Sequence, residues 1–293
     1  MKGIFSIGLA LVLMAGIPAQ AAFEGLGGTT RASSMSQAYV VHAADAGALW
    51  HNPAGLARGA HRGVEADYAR LYPGLDVGPD ISTWSLNYTQ SLAGGRVGVA
   101  VAGLGADVYS ENGLVIGYGR GLVAGGHAGL GVRVLRWSAD GYQGDDDRSG
   151  TGIAVDLGLR YDVWQLPQGT LSVAAAALGV NEPDVSESGG GTGVPMQLLL
   201  GLGYEDANYA VEADWEIVDG SGRARVGGEY KVGGRYDVRL RLGASGMNND
   251  ESSGQIDGGV GLQIGAIVLD YAYHDSSEIS GTGSQRLSLG YRF

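Results

Sequence analysis

Period-two alternation of apolar and polar side chains, repeated from about residue 60 to the last residue, limits this chain to β-structure. The final segment, RLSLGYRF at residues 286–293, places leucine, tyrosine and phenylalanine on one face and arginine, serine and glycine on the other. About fourteen such segments, each roughly ten residues long, begin near residues 63, 82, 96, 113, 127, 151, 169, 195, 208, 223, 236, 256, 266 and 285. An even number is typical of bacterial outer-membrane barrels, because both termini return to the same side.

A soluble β-sandwich also alternates, so the faces of the strands must decide between the two folds. In a membrane barrel the apolar face meets lipid and the charges face the lumen, whereas a sandwich exposes its charges to water. Here the apolar faces tend to end in tyrosine or tryptophan, as in an interfacial girdle. These residues are Trp84, Tyr88, Tyr118, Tyr161, Tyr204, Tyr209, Trp215, Tyr230, Tyr236, Tyr271, Tyr273 and Tyr291. The sequence therefore predicts an all-β fold, a transmembrane antiparallel β-barrel of about 14 strands over residues 61–293.

The connections between the segments alternate between short and long. The predicted periplasmic turns are residues 92–95, 123–126, 163–168, 205–207 and 233–234, with a tight turn at Gly265. The predicted outer loops are residues 72–81, 105–112, 139–149, 181–194, 219–222, 247–254 and 275–284. Such asymmetry is also typical of outer-membrane barrels.

Residues 1–21 have the layout of a secretory signal peptide. Lys2 precedes an apolar run from Ile7 to Ile17, and the small residues at positions 19–21 suit cleavage before Ala22. The run is shorter than the roughly 20 residues needed to span a bilayer, so a retained anchor is the weaker alternative. The predicted location is the outer membrane of a Gram-negative bacterium, with outer-membrane lipid around the strands.

Composition is consistent with this location. The formal net charge of -12 argues against a nucleic-acid partner, which would require a basic surface. The chain has no cysteine, so no disulfide can stabilise an exported fold. A closed barrel does not need one, because its hydrogen-bond ladder has no free edge.

Between the signal peptide and the first strand lie residues 22–60, which include the apolar stretch GALWHNPAGLAR at residues 47–58. Asn52 is a favourable N-cap and Pro53 suits a first helical position, so two short helices should meet there, the first capped by Asp45. This segment could be a periplasmic lead-in packed on the barrel rim. It could equally be a plug inside a lumen that would otherwise form a channel.

The run SSMSQAYVVHAADAGALWHNPAGLA, residues 33–57, resembles the N-terminal segment of FadL-type outer-membrane transport proteins and their PorV-like and TraF-like relatives. The resemblance implies a fourteen-stranded barrel with a helical hatch in the lumen, here residues 22–60, to which Asn52, Pro53 and Ala54 belong. In the transport branch it also implies a passive path for hydrophobic molecules. The outer loops of this chain are short and hydrophilic, whereas transport members have bulky loops with an apolar capture groove. That difference argues against fatty-acid uptake specifically.

Ten charged residues on three neighbouring segments are expected to face the lumen. They are Glu212, Asp214, Glu216, Arg223, Arg225, Glu229, Lys231, Asp237, Arg239 and Arg241. They could tune the selectivity of a polar path. The favoured alternative is a set of structural ion pairs that fill the lumen and hold the hatch, because charges shut away from water must be paired.

No motif predicts catalysis, a metal site or a cofactor. The run Asp145-Asp146-Asp147 lacks the spacing of a Ca²⁺ loop, and the histidines lack HExxH or similar spacing. His274, Asp275 and Ser276 are poor catalytic partners, because adjacent residues of a strand point to opposite faces. The glycine clusters have no following helix to bind phosphate, and we expect lumen-facing glycines to let the hatch backbone or a ligand come close.

The sequence thus predicts a non-enzymatic barrel that moves small hydrophobic or amphipathic molecules passively across the outer membrane. Because the inward strand faces look too polar, an apolar ligand pocket would have to be lined from the hatch by Leu49, Trp50 and Leu56. The alternative is a structural barrel that docks another envelope protein, as PorV-like relatives suggest.

Overall fold

In the computed structural model of the protein, fourteen strands with alternating side chains pair into a closed antiparallel barrel. The model describes residues 23, 25–71, 73, 81–141, 147–186, 193–234, 236–247, 254–275 and 283–293. The signal-peptide prediction for residues 1–21 lies outside these residues. Each strand pairs with its neighbour in sequence, and β1 closes the barrel by pairing with β14. The predicted barrel and its strand number are confirmed.

The strands are β1 (Gly63–Leu71), β2 (Ile81–Leu92), β3 (Gly95–Ala106), β4 (Tyr109–Val123), β5 (Gly126–Ala139), β6 (Arg148–Gln165), β7 (Gly169–Leu178), β8 (Gln197–Asp206), β9 (Tyr209–Val218), β10 (Ser221–Val232), β11 (Asp237–Met247), β12 (Gln255–Ile264), β13 (Ile267–His274) and β14 (Ser284–Arg292). The barrel is tallest at β4 to β6, where the strands have 14 to 18 residues. It is lowest at β13, which has 8.

The two faces of the strands differ as the alternation predicts. The outward face is apolar and exposed: Leu159 is 60% exposed and Leu242 is 65% exposed. The inward neighbour of Leu159 on the same strand, Arg160, is only 3% exposed. Aromatic side chains predicted for the girdle, including Tyr161 and Tyr209, also lie on the outward face. An outer surface of this kind suits contact with lipid.

We call the end of the barrel where β1 begins the turn end, and the opposite end the loop end. Connections at the turn end are short throughout, as predicted. Two connections at the loop end are also short, contrary to the predicted loops 105–112 and 219–222. The structure has only Asp107-Val108 between β3 and β4, and Asp219-Gly220 between β9 and β10. The polar residues expected to form those loops instead extend the strands.

Residues 23–59, here called the N-terminal segment, contain three short helical pieces. They are α1 (Thr30–Ser33), α2 (Ala48–His51) and a 3-10 helix, η1 (Pro53–Arg58). The two helices predicted around Asn52 are present: the Asn52 side chain accepts a hydrogen bond from the Ala54 N–H at 3.1 Å, and Pro53 opens η1. The prediction that Asp45 caps the first helix is wrong: the N-cap of α2 is Gly47, and Asp45 instead accepts a hydrogen bond from the Gly47 N–H at 2.9 Å in the turn before the helix. Within the described residues, no helix is long and apolar enough to cross a membrane.

Candidate functional site

The N-terminal segment follows the inner surface of the barrel around most of its circumference. Its residues lie against nearly every strand and are mostly buried. On β1 to β4, Thr30 lies against Asp67, Trp50 against Asn87, and Leu49 against Gly98 and Gly117. On β5 to β9, Pro53 lies against Gly129, Asn52 against Gly158, Val41 against Gly203 of β8 and Val40 against Asp214 of β9. On β10 to β14, Met35 lies against Gly227 and Gly243, Ser34 against Gly259 of β12 and Gly28 against Arg286 of β14. The interface between segment and barrel is therefore the candidate site.

One side of the lumen binds the segment through charges, and we call the inward residues of β9 to β13 and β1 the charged wall. Glu212, 2% exposed, accepts hydrogen bonds from the backbone N–H groups of Val41 and His42 at 2.5 and 2.9 Å. Asp214 accepts those of Tyr39 and Val40 at 2.9 and 3.2 Å. These bonds satisfy consecutive backbone donors of a stretch that has no secondary structure to satisfy them.

Arg31 of the segment is held on the same wall. Its guanidinium forms two 3.1 Å hydrogen bonds to Glu229 on β10 and a third, at 3.3 Å, to Asp45. Arg241 on β11 also donates to Glu229, at 2.6 Å. A polar cavity of about 20 Å³ lies beside Arg31 and Asp45, with room for roughly one water molecule.

The other residues of the predicted charge ladder pair within the wall. Glu216 binds Arg225 at 2.5 Å and lies 3.8 Å from Arg223. Asp237 binds Arg239 at 3.0 Å and Lys231 at 3.4 Å. The ladder thus contains two groups, one that holds the segment and one that joins neighbouring strands.

Wall glycines let the segment lie directly on the strands. A Cβ added to Gly117 on β4 would lie 2.7 Å from the Leu49 side chain, and one on Gly227 of β10 would lie 2.8 Å from the Met35 carbonyl oxygen. A Cβ on Gly129 would overlap the Pro53 backbone. The close approach of the segment explains glycine at these inward positions.

The other side of the lumen, which we call the apolar wall, comprises inward residues of β3 to β6. Its buried apolar members are small or aliphatic: Ala100, Ala102, Val115, Leu135 and Ala154. Buried charged residues share the inward faces of these strands: Arg96, Glu111, Asp156 and Arg160. The expectation that the inward faces are too polar to form an apolar surface is therefore correct only in part, because alanine, valine and leucine form an apolar cluster between the charges.

Segment side chains cover the apolar wall. Leu49 and Leu56 are each 1% exposed, and Trp50 is 8% exposed with its Nε1 donating to Asn87 at 3.0 Å. Near the loop end the cover is Leu26, which lies beside Gly113 of β4, and Phe23. The three predicted lining residues therefore do meet one apolar surface.

Asn52, Pro53 and Ala54 have a different place in the segment. The Asn52 amide donates to the carbonyl oxygens of Val40 at 2.9 Å and Leu159 at 3.2 Å. Asn52 and Ala54 are both 0% exposed. Asn52 thus joins two parts of the segment to β6, whereas Pro53 and Ala54 pack on the glycines of β5 and β6.

Two buried histidines of the segment lie where charge is disfavoured. Burial lowers the pKa of His51 to about 4, with Arg225 the next cause. Burial likewise lowers the pKa of His42 to about 4, although Glu205 opposes this shift. Tyr39, edge-on to His51 with ring centroids 5.6 Å apart, has its pKa raised by burial. All three side chains are therefore neutral at pH 7.

The connection between β7 and β8 supplies residues that the sequence pattern did not identify. Val185 and Val194 are 2% and 6% exposed and join the apolar wall, although a hydrophilic outer loop was predicted. The Trp137 Nε1 group donates to the Val185 carbonyl oxygen at 2.8 Å, and Asn181 bonds the backbone of β6 at Val155. The sequence signal that could have identified Val185 and Val194 is the presence of isolated valines in a glycine-rich loop.

The described residues form neither a catalytic group of side chains nor a metal-binding site. Asp257 lies between the Ser36 hydroxyl and His274 and hydrogen bonds to both, so His274 does not face the hydroxyl as a general base would. No group of three or more metal-ligating side chains occurs in the described part of the chain. Asp145, Asp146 and Ser276 lie outside the described residues.

No family model and no curated protein matches the sequence. Solved structures do match. The toluene transporter TbuX of Ralstonia pickettii is 13% identical, with a TM-score of 0.63 over 92% of this chain and 99% of that chain. The toluene transporter TodX of Pseudomonas putida is 12% identical, with a TM-score of 0.62 over 90% and 97%. A FadL homologue of Pseudomonas aeruginosa is 13% identical, with a TM-score of 0.58 over 91% and 98%. The barrel has the FadL-type outer-membrane transporter fold.

Proposed function

We propose that this protein is an outer-membrane barrel through which small hydrophobic molecules pass passively, without a chemical step, with residues 22–60 as its hatch. The loop end faces outward and the turn end faces the periplasm. The observation that carries this proposal is the apolar wall, a surface inside the lumen that runs from Leu104 and Trp137 near the loop end to Ala100 and Val115, beside the position of Leu49.

The covering side chains define the route. Leu26 and Leu49 hold the apolar wall by packing, which is not directional and can be exchanged for contact with an apolar ligand at little cost. The hydrogen bonds to Glu212 and Asp214 on the charged wall can anchor the segment meanwhile. A hydrophobic molecule would therefore move between segment and apolar wall. The fold shared with two toluene transporters is consistent with this route.

Liposome uptake tests the proposal. The mature protein and a variant lacking residues 22–59 are reconstituted, and entry of toluene and of a neutral polar sugar is compared with that into empty liposomes. The intact barrel should pass toluene but not sugar, whereas the deletion should pass both because its lumen is emptied. Failure of both proteins to raise toluene entry, with both correctly folded by circular dichroism, would contradict transport.

The close packing favours a second candidate, a structural barrel that docks another envelope protein. Leu49 lies on Gly98 and Gly117 so closely that an added Cβ would come within 3.0 Å of it at either glycine. If the lumen is permanently filled, the connections between strands remain as the surfaces that can bind another protein. In that case neither reconstituted protein takes up toluene, and crosslinking from the connections in whole cells should yield a defined complex.

A further inference from the structure

A buried carboxylate lies at the loop end of the apolar wall. Glu111 on β4 is 5% exposed, and its cross-strand neighbours on the same inward face are Leu104 on β3 and Trp137 on β5. The next inward residue along β4 is Gly113, which meets Leu26. An acid in such surroundings is costly to desolvate, so an aliphatic residue would serve packing better.

Phe23 of the N-terminal segment occupies this carboxylate. The Phe23 backbone N–H donates to Oε2 of Glu111 at 3.0 Å, and the Tyr109 hydroxyl donates to Oε1 at 2.8 Å. Both donors are uncharged, and no cationic side chain among the described residues pairs with Glu111, although a buried carboxylate usually has such a partner. The Phe23 side chain, 6% exposed, lies in the apolar cluster with Leu26.

Phe23 is held in an unfavourable backbone conformation. Its φ angle is 67°, a left-handed value that is a genuine outlier for a bulky residue. Such strain persists only where surrounding contacts enforce it, and it makes the occupant easier to displace. Phe23 thus resembles a weakly held ligand. Its backbone N–H donates to the Glu111 carboxylate, and its aromatic ring lies in the apolar cluster.

The charge at the loop end indicates whether a ligand that displaces Phe23 should be a cation or an anion. The seven loop-end connections, residues 72–80, 107–108, 140–147, 179–196, 219–220, 248–254 and 275–283, contain no lysine or arginine, and each contains at least one Asp or Glu. The resulting negative field concentrates cations and repels anions before any contact with the lumen. This argument is independent of the Glu111 geometry.

We propose that the loop end holds a binding site for hydrophobic amines, in which Glu111 receives the ammonium group and the space filled by Phe23 and Leu26 receives the apolar part. The site deepens the proposed function by naming its preferred substrate class, and it rests on that function for the direction of movement. Binding itself does not depend on transport, so the two can fail separately.

Three probes of matched shape test the site by calorimetry on the full mature chain in detergent at pH 7: 2-phenylethylamine, 2-phenylethanol and phenylacetate. The amine should bind roughly tenfold or more tightly than the alcohol, because a hydrogen bond to a charged group replaces a neutral one. Phenylacetate should bind most weakly. Equal affinity for amine and alcohol would overturn the proposal.

Two variants test whether the preference for the amine arises at Glu111. Glu111→Gln should remove the preference for the amine. Asp107→Asn removes the same charge from the exposed connection between β3 and β4, and it should change amine affinity by less than about twofold. An equal loss in both variants would mean that the field at the rim, and not a site, attracts the amine.

Phe23→Ala keeps the backbone N–H but removes the aromatic group that competes for the apolar part of the site, so it should tighten binding of the amine several-fold. This variant keeps the test decisive if Glu111→Gln does not fold. Unchanged or weaker binding in Phe23→Ala would contradict displacement of Phe23. If the amine binds as expected but liposome uptake is absent, the site stands and the transport proposal falls.

Discussion

The charged wall and the apolar wall hold the same segment by different physics. On the charged wall, Glu212 and Asp214 bind four consecutive backbone N–H groups from Tyr39 to His42. On the apolar wall, Leu49 and Leu56 pack on alanine and glycine. Hydrogen bonds fix direction and register, whereas apolar packing depends mainly on the area covered.

The difference indicates which side can yield. Detaching the segment from Glu212 would leave buried donors unsatisfied, and each such donor is expensive. Moving Leu49 or Leu26 aside costs little if an apolar ligand takes the vacated surface. If the segment moves, its apolar side should therefore move more easily than its charged side, and the following predictions test that asymmetry.

Removing the main anchor should have the largest effect. Glu212→Ala leaves the N–H groups of Val41 and His42 without acceptors, a loss of roughly 2–6 kcal/mol at about 1–3 kcal/mol per donor. The segment should detach, so trypsin should cleave after Arg31. Glu216→Ala is the matched control, because Glu216 pairs with Arg225 and not with the segment. Equal cleavage in both variants would show that Glu212 is not the anchor.

Shortening a side chain on the apolar side should lower stability but assist binding. Leu49→Ala should reduce the free energy of unfolding by about 2–5 kcal/mol and leave an apolar cavity beside Gly98 and Gly117. Small hydrophobic molecules fill such cavities, so toluene affinity should rise. Leu130→Ala, on the outward face at 50% exposure, is the control and should leave toluene affinity unchanged. Weaker toluene binding in Leu49→Ala would place the route elsewhere.

Adding one carbon to a wall glycine should have a smaller effect. Gly129→Ala forces the Pro53 backbone away from β5 and should cost about 1–3 kcal/mol by overpacking. Gly105→Ala, where an added Cβ meets nothing within 4 Å, should be nearly neutral in the same urea titration. A neutral Gly129→Ala would mean that η1 does not rest on the wall.

Mild acid should have the smallest effect, through His51. Its pKa is about 4 in the folded protein and about 6.5 when unfolded, so the unfolded chain binds more protons between these values. The His51 contribution is therefore complete above pH 7 and falls as the pH drops, by about 1 kcal/mol at pH 5.5. His51→Gln should lack this component, which comparison of urea midpoints at pH 7 and 5.5 would measure. Identical pH dependence of the two proteins would exclude it.

Local pattern predicted the strands more reliably than the loops. Predicted strand starts such as 63, 169 and 266 agree with the structure to within one residue, because period-two alternation is a property of the strand itself. The predicted loop 105–112 was wrong because Ser110 and Asn112 read as loop residues, yet they pair with β3 and β5. Pairing across strands overrides weak local preference.

The candidate site was predictable only in part. The Asn52-Pro53 junction follows from capping chemistry, which acts over three residues. The apolar wall was missed because alanine and glycine do not stand out as apolar in one strand and become a surface only when four strands lie side by side. Glu111 was missed because its neighbours, Leu104 and Trp137, belong to other strands.

The sequence by itself determined the class of fold, the number of strands and which side chains face inward, since each of these follows from the two-residue period of a strand. Only the tertiary structure decided how those inward residues combine. Closure of the barrel brings the carboxylates of β9 and β10 to one side and the small residues of β3 to β6 to the other. It also lays the N-terminal segment across both. Contacts between residues as distant as Val41 and Glu212 depend on strand register and barrel closure, and a local pattern carries neither.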